Sequence, residues 1–223
     1  MAFSEQKFRS LPEKQQHKKC AELIRSAYEA YMQMQEWIEP PKDLADLYHK
    51  HLKLAGQSLK EHNLLPENRE SERGEPEPLW PIALYLDNIR SAHNVGSIIR
   101  TIEGLSFGRI YLSGSTPGPE HPQVKQTAMG AADWIEAKRC EEFALLPRPL
   151  IALETAPDAK PLHQFIFPET FTLAIGNEEY GCSDATLEAA DAVVAIPMRG
   201  RKNSLNVANA FAMAAAEIMR QRT

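Results

Sequence analysis

Side chains able to do chemistry gather in three short segments of this 223-residue chain. The first runs from Asp87 to Arg100 and reads DNIRSAHNVGSIIR. Asn94 stands near the start of a helical pattern, where a side-chain oxygen can cap free amides. Arg100 follows about one and two-thirds helical turns later, on another flank than Asn94 unless the helix starts beyond Asn94. An arginine within the apolar run SIIRTI needs an anion or an acceptor; as a structural residue it would pair with Glu103 or Asp87. The second segment, Ala174 to Gly181, reads AIGNEEYG. Its glycines permit a tight turn and close approach to a ligand, with Glu178 at a strand's carboxyl end. A turn leading into a helix explains the same residues equally well. The third segment, Ile196 to Asn209, reads IPMRGRKNSLNVAN. Arg199, Arg201 and Lys202 precede a long helix, and helix amides with nearby cations suit an anion. In the plainer reading the loop is solvated and Ser204 is the helix N-cap.

The elements that must position these segments begin at Pro81. Apolar runs at 82–86, 109–112, 134–137, 150–154, 171–175 and 192–196 read as strands, and their lack of polar alternation suggests burial on both faces. Residues 94–105, 183–190 and 205–221 read as helices. Alternation of this kind predicts an α/β fold with a mostly parallel sheet covered on both sides. Ligands in such sheets bind beyond the carboxyl ends of the strands, where all three segments fall.

Two amphipathic helices precede this domain. One spans 13–38, with Cys20, Leu23, Ile24, Ala27, Tyr28, Tyr31, Met34, Trp37 and Ile38 on one face, and Pro40-Pro41 ends it. The other carries Leu44, Leu47, Tyr48, Leu52, Ala55 and Leu59. Residues 64–80 hold prolines and charges with little to bury, as a linker does. The expected organisation is therefore a helical extension over 1–63, a linker over 64–80 and the α/β domain over 81–223.

Composition excludes several classes. With 43% apolar and 25% charged residues, the chain has an ordinary globular balance. No apolar run approaches the length of a membrane span, and the N-terminus lacks a signal-peptide core, so a cytoplasmic location is expected. Cys20, Cys140 and Cys182 lie far apart and form no disulfide framework, and Cys182 is expected to be a small buried residue. The histidines show no metal-ligand spacing, so no metal is expected. A net charge of −5 argues against non-specific coating of nucleic acid but leaves room for a local basic surface.

Together, the three motifs resemble the TrmH (SpoU) branch of the SPOUT RNA methyltransferases over roughly residues 80–222. Asn94 through Arg100 resembles the family's first motif, with Asn88 and His93 before it. Gly176, Glu178 and Gly181 resemble the second. Ile196 to Met198 with Ser204 to Val207 resembles the third. The resemblance implies a C-terminal trefoil knot that holds S-adenosylmethionine, a homodimer with its active site at the interface, and methylation of a ribose 2′-hydroxyl of tRNA or rRNA. It further implies that Gly176, Ile196 and Leu205, with Thr155, line the cofactor. Arg100, Asn94, Glu178, Ser204 and Asn206 become the catalytic set. Arg199, Arg201 and Lys202, then Arg90, are candidate RNA phosphate contacts.

The alanine-rich helix (Ala208, Ala210, Ala212, Ala214, Ala215 and Ala216) suits close helix packing, between subunits or within one. The N-terminal region is a candidate for substrate choice, although it holds twelve basic against fourteen acidic residues up to residue 80. An alternative is a SPOUT-like RNA-binding protein without catalysis. A nucleotide-binding or hydrolase domain would want a P-loop, a GxSxG turn or a dinucleotide fingerprint, and the sequence has none.

Overall fold

A computed structural model describes residues 9–32, 41–57 and 77–222. The chain divides into two compact units between residues 70 and 71. In the first unit, helix α1 spans Glu13–Met32 and helix α2 spans Pro41–Leu54. Ala21, Tyr48 and Leu52 are buried together, so part of the apolar stripe of each helix is spent on the other. His17 and His51 meet across the pair, Nδ1 to Nδ1, at 2.9 Å. Met34, Trp37, Ile38 and Leu59, and the expected linker up to residue 76, lie outside the described residues.

The second unit is built on a seven-stranded parallel sheet. Its strands are β1 Ile82–Leu86, β2 Ile110–Leu112, β3 Ala137–Arg139, β4 Leu150–Leu153, β5 Lys160–Pro161, β6 Phe171–Ile175 and β7 Ala192–Ala195. Their spatial order is β3-β2-β1-β6-β4-β7-β5. The central pair β1 and β6 is buried at every residue, as their unbroken apolar runs require. They pair from Ile82↔Phe171 to Leu86↔Ile175.

Helices α3 (Ala92–Gly104), α4 (Pro122–Ala128) and α6 (Val207–Arg220) contribute to the main core with Ile82, Leu84 and Leu86. The alternate residues Ala83 and Tyr85 join Leu150 in a second cluster, against which Ala189 of helix α5 (Asp184–Ala189) packs. The odd and even positions of β1 thus serve opposite faces of the sheet.

Several expected boundaries move. The strand expected at 134–137 is instead β3, because Ala131–Asp133 forms a short 3₁₀ turn and Trp134 is exposed. As an edge strand, β3 pairs only with β2, so it can carry Lys138 and Arg139 outward. Strand β5 and helix α4 carry no readable periodicity. Helix α3 starts before Asn94, with Ser91 as its cap. Helix α6 starts at Val207 and is capped by Asn206, whose Oδ1 accepts from the Ala208 and Asn209 amides. The N-cap reading of Ser204 is therefore incorrect; the loop runs two residues further before the backbone turns helical.

Candidate active site

Strands β1, β4 and β6 deliver three carboxylates to the same edge of the sheet. Asp87 follows β1 and is buried. Its Oδ1 accepts from Asn88 Nδ2 at 2.9 Å and Ser113 Oγ at 3.2 Å. Its Oδ2 accepts from the Ser183 amide and Thr186 Oγ1, both at 2.7 Å. Four donors make burial of a carboxylate tolerable, and here they tie β1 to the start of α5. Glu154 follows β4. Its Oε1 accepts from the Thr155 amide and its Oε2 from the Cys182 amide, each at 2.7 Å.

Glu178 follows β6 on a loop that closes on itself. The Asn177 and Gly181 amides each donate to the other residue's carbonyl at 2.9 Å. Gly176 passes so close beneath this loop that a Cβ there would strike the backbone of Gly181 and Cys182. Gly181 has φ +77°, and a Cβ would meet the Glu154 carboxylate. The two motif glycines are therefore required by local geometry before any ligand is considered.

The Glu178 carboxylate reaches back to the start of α3. Its Oε2 accepts from the Arg90 amide at 2.9 Å. Its Oε1 accepts from the Ser91 amide at 3.0 Å and Asn94 Nδ2 at 2.8 Å. Partial burial pushes this carboxyl up, yet the Arg90 amide, the Asn94 side chain and further backbone donors outweigh burial and hold it below the usual carboxylate range. Asn94 Oδ1 in turn accepts from Asn206 Nδ2 at 3.0 Å. One hydrogen-bonded chain, Glu178–Asn94–Asn206, thus links all three segments.

Beside this chain lies a cavity of about 320 Å³, within the range common for small-molecule sites. Thr155, Gly176, Ile196 and Leu205 all line it, as do Glu178 and Ser204. Its apolar wall includes Leu153, Ile175 and Val207, all buried. Its polar wall includes Glu154, Glu178, Glu179 and Asn203. Thr155 Oγ1 donates to the Asn203 carbonyl at 3.4 Å, which joins the β4 loop to the loop before α6.

Arg100 is not brought to this cavity. It is exposed, and Nη1 donates to Met129 Sδ at 2.9 Å. A thioether is a weak acceptor and holds a guanidinium far less firmly than a carboxylate does. Arg90 forms an exposed ion pair with Glu179 at 3.2 Å. Arg199, Arg201 and Lys202 are exposed on the loop after β7. Cys182 is buried, which pushes its thiol up, with Glu154 and Asp87 adding to the shift. Sequence reasoning passed over Asp87 as a hub and Glu154 as a pocket residue. The available signal was an acid directly after a buried apolar strand, present in both IALYL-Asp87 and LIAL-Glu154.

A parallel sheet carrying a mixed polar and apolar cavity between its carboxyl-end loops defines an α/β ligand-binding domain. Residues 81–216 match the SpoU rRNA Methylase family, and the chain belongs to that family. It is 30% identical over 167 residues to a 23S rRNA (guanosine-2'-O-)-methyltransferase of Pseudomonas aeruginosa, a match covering 72% of this chain and 65% of that protein. It is 27% identical over 148 residues to a tRNA (guanosine(18)-2'-O)-methyltransferase of Thermus thermophilus, covering 63% of this chain and 75% of that one. Among solved structures, the SpoU methyltransferase AviRb of Streptomyces viridochromogenes in complex with AdoMet superposes with a TM-score of 0.59 at 28% identity, covering 66% of this chain and 62% of that one. The chain spans 65% and 53% of the length of the first two 23S rRNA relatives it matches.

Proposed function

We propose that this protein transfers a methyl group from S-adenosylmethionine to a ribose 2′-hydroxyl of tRNA or rRNA. What carries the reading is that all four positions matched to the family's cofactor contacts surround one cavity. The cavity fits the cofactor chemically. Buried Leu153, Ile175 and Val207 suit the adenosine, and Glu154 and Glu178 favour a sulfonium cation. S-adenosylmethionine supplies an electrophilic methyl group when bound, so the protein's task is alignment.

Glu178, Asn94 and Asn206 hold the cavity loops in register with the start of α3. Ser204, on the cavity wall, offers a hydroxyl to the ribose. Arg100 positions the target hydroxyl or its neighbouring phosphate and stabilises negative charge on the oxygen as it takes the methyl group and its proton passes to water; a guanidinium is too weak a base to take that proton itself. Arg199, Arg201 and Lys202 contact RNA phosphates, with Arg90 next.

The reading includes a homodimer. Arg100 lines no part of its own chain's cavity, which supports its service at the cavity of a second copy. Ala208, Ala214 and Ala215 are buried within the subunit, but Ala212, Met213 and Ala216 leave an exposed strip on α6 for such a partner. It also includes the trefoil knot that the family resemblance implies, and the Thr155–Asn203 hydrogen bond joins two of the loops around the cavity. Residues 1–63 form a separate extension in this reading, and the enzyme acts in the cytoplasm. Among the described residues no helix is long and apolar enough to cross a membrane. Calorimetric titration of the purified protein with S-adenosylmethionine tests the cofactor assignment: one binding event per chain is expected, and no binding would overturn the enzyme reading.

A further inference from the structure

Tyr180 stands apart from the other residues around the cavity. Among the described residues it is the only aromatic one that lines it, and its side chain is largely in solvent, at 62% exposed. A solitary exposed aromatic is unremarkable on a mobile surface loop. The loop that carries Tyr180 is tied down on three sides. The paired Asn177 and Gly181 amides close it. Asn177 Nδ2 donates to the Asn88 carbonyl at 2.6 Å, and Asn177 Oδ1 accepts from the Glu179 amide at 2.8 Å. Glu178 anchors the next position to the Arg90 and Ser91 amides and to Asn94. The backbone is fixed, so the ring is presented to solvent from a defined place.

The burial of the lining residues separates two zones. Leu153, Ile175 and Val207 are buried, so they belong to the deep part of the cavity. Tyr180, at 62%, is the most exposed of the large apolar side chains lining it and belongs to its rim. A ligand seated deep meets the aliphatic residues first; one entering from solvent meets the ring. The rim also carries Glu179, whose carboxylate is paired with Arg90 at 3.2 Å. That pairing offsets a negative charge that would otherwise repel RNA beside the ring.

We infer that Tyr180 is a stacking platform for the base of the nucleotide whose ribose is methylated. This rests on the methyl-transfer reading and names the substrate contact within it. Proteins read unpaired nucleotides by stacking them on aromatic faces, and each such contact is sequence-tolerant because every base has a π-face. Stacking at the rim would fix the base and leave its ribose over the cavity mouth. Tyr180 is therefore a positioning residue, and binding of the deep-seated cofactor does not depend on it.

The test compares wild type with Tyr180→Ala, Tyr180→Leu and Tyr180→Phe. The substrates are labelled S-adenosylmethionine and total RNA from cells lacking the protein. With Tyr180→Ala and Tyr180→Leu the apparent KM for RNA is expected to rise roughly 5- to 150-fold, the range of one lost base stack. The cofactor Kd by calorimetry and the thermal midpoint are expected to hold, and Tyr180→Phe is expected to restore the KM. Equal loss of cofactor affinity would place the ring over the cofactor and overturn the inference. An unchanged KM in Tyr180→Ala, or a Tyr180→Phe as impaired as Tyr180→Ala, would also overturn it. Absence of transfer by wild type would overturn the methyl-transfer reading and this inference with it, whereas wild-type transfer with an indifferent Tyr180→Ala overturns this inference alone.

Discussion

Asn206 Nδ2 donates to Asn94 Oδ1 at 3.0 Å, joining the first turns of two helices that lie 112 residues apart in the chain. Each partner has a second duty. Asn94 donates to Glu178, and Asn206 caps α6 through its own oxygen. A short amide side chain offers a donor and an acceptor at once, which neither Asp nor Ser does in the same shape.

Asn206→Ala removes both functions and Asn206→Asp only the donor. Urea denaturation is expected to show Asn206→Ala losing about 0.5–2 kcal/mol, the usual value of a helix cap, with Asn206→Asp retaining most of that. Both variants should transfer methyl groups more slowly than wild type. Equal stability of Asn206→Ala and wild type would contradict the capping role.

Glu178 titrates below its ordinary value in the folded chain. Its stabilising contribution is therefore present above the unfolded-state value and is lost as pH falls through the folded one. Glu178→Gln leaves one of three donors facing an amide NH₂ and should lower the thermal midpoint at neutral pH. The gap between the variant and wild type should narrow on acidification. A gap independent of pH would show that the charge of Glu178 is immaterial.

The glycines divide by their surroundings. Gly176→Ala places a methyl group against the Gly181 and Cys182 backbone, which has no flexible side chain to retreat. It should destabilise by about 1–3 kcal/mol or more and abolish cofactor binding. Gly104, at the end of α3, has nothing within 4 Å of its would-be Cβ. Gly104→Ala should be neutral or stabilising by up to about 1 kcal/mol. Circular-dichroism melts of the two variants would settle the contrast; similar midpoints would refute the close-passage account.

Arg100→Ala should slow transfer by at least about 100-fold, as loss of a charge-stabilising donor does. Cofactor affinity should be largely unchanged, because the contact assigned to Arg100 is with the target hydroxyl or its neighbouring phosphate and not with the cofactor. Lysine lacks the planar fork and should not restore the rate. Single-turnover kinetics read the first effect and calorimetry the second. Full activity in Arg100→Ala would remove its assigned role.

The central architecture was legible because burial on both faces leaves an unbroken apolar run, as in β1 and β6. The edges were not. A strand with one neighbour needs no apolar run, so the strand read at 134–137 falls instead at Ala137–Arg139 and Lys160–Pro161 looks like loop, and Pro161 can sit there because an edge strand can spare a donor. Helix α4 buries only Val124 and Ala128, too few positions for a period to show. At the site, residue types identified the three segments, but not which of the neighbouring polar residues Asn203, Ser204 and Asn206 caps α6. That choice depends on where the backbone turns helical. The separation of Arg100 from Asn94 followed from helical geometry once α3 began before Asn94. The Asp87 hub was hidden because its four donors come from residues spread over 88–186.

The most direct test of methyl transfer incubates purified protein with labelled S-adenosylmethionine and RNA from cells lacking it, then digests the RNA and identifies the labelled nucleosides by mass spectrometry. The account expects label on the ribose of a 2′-O-methylnucleoside, mapped to a defined position in tRNA or rRNA. Label on a base, or none in any RNA while the protein binds the cofactor, would contradict it.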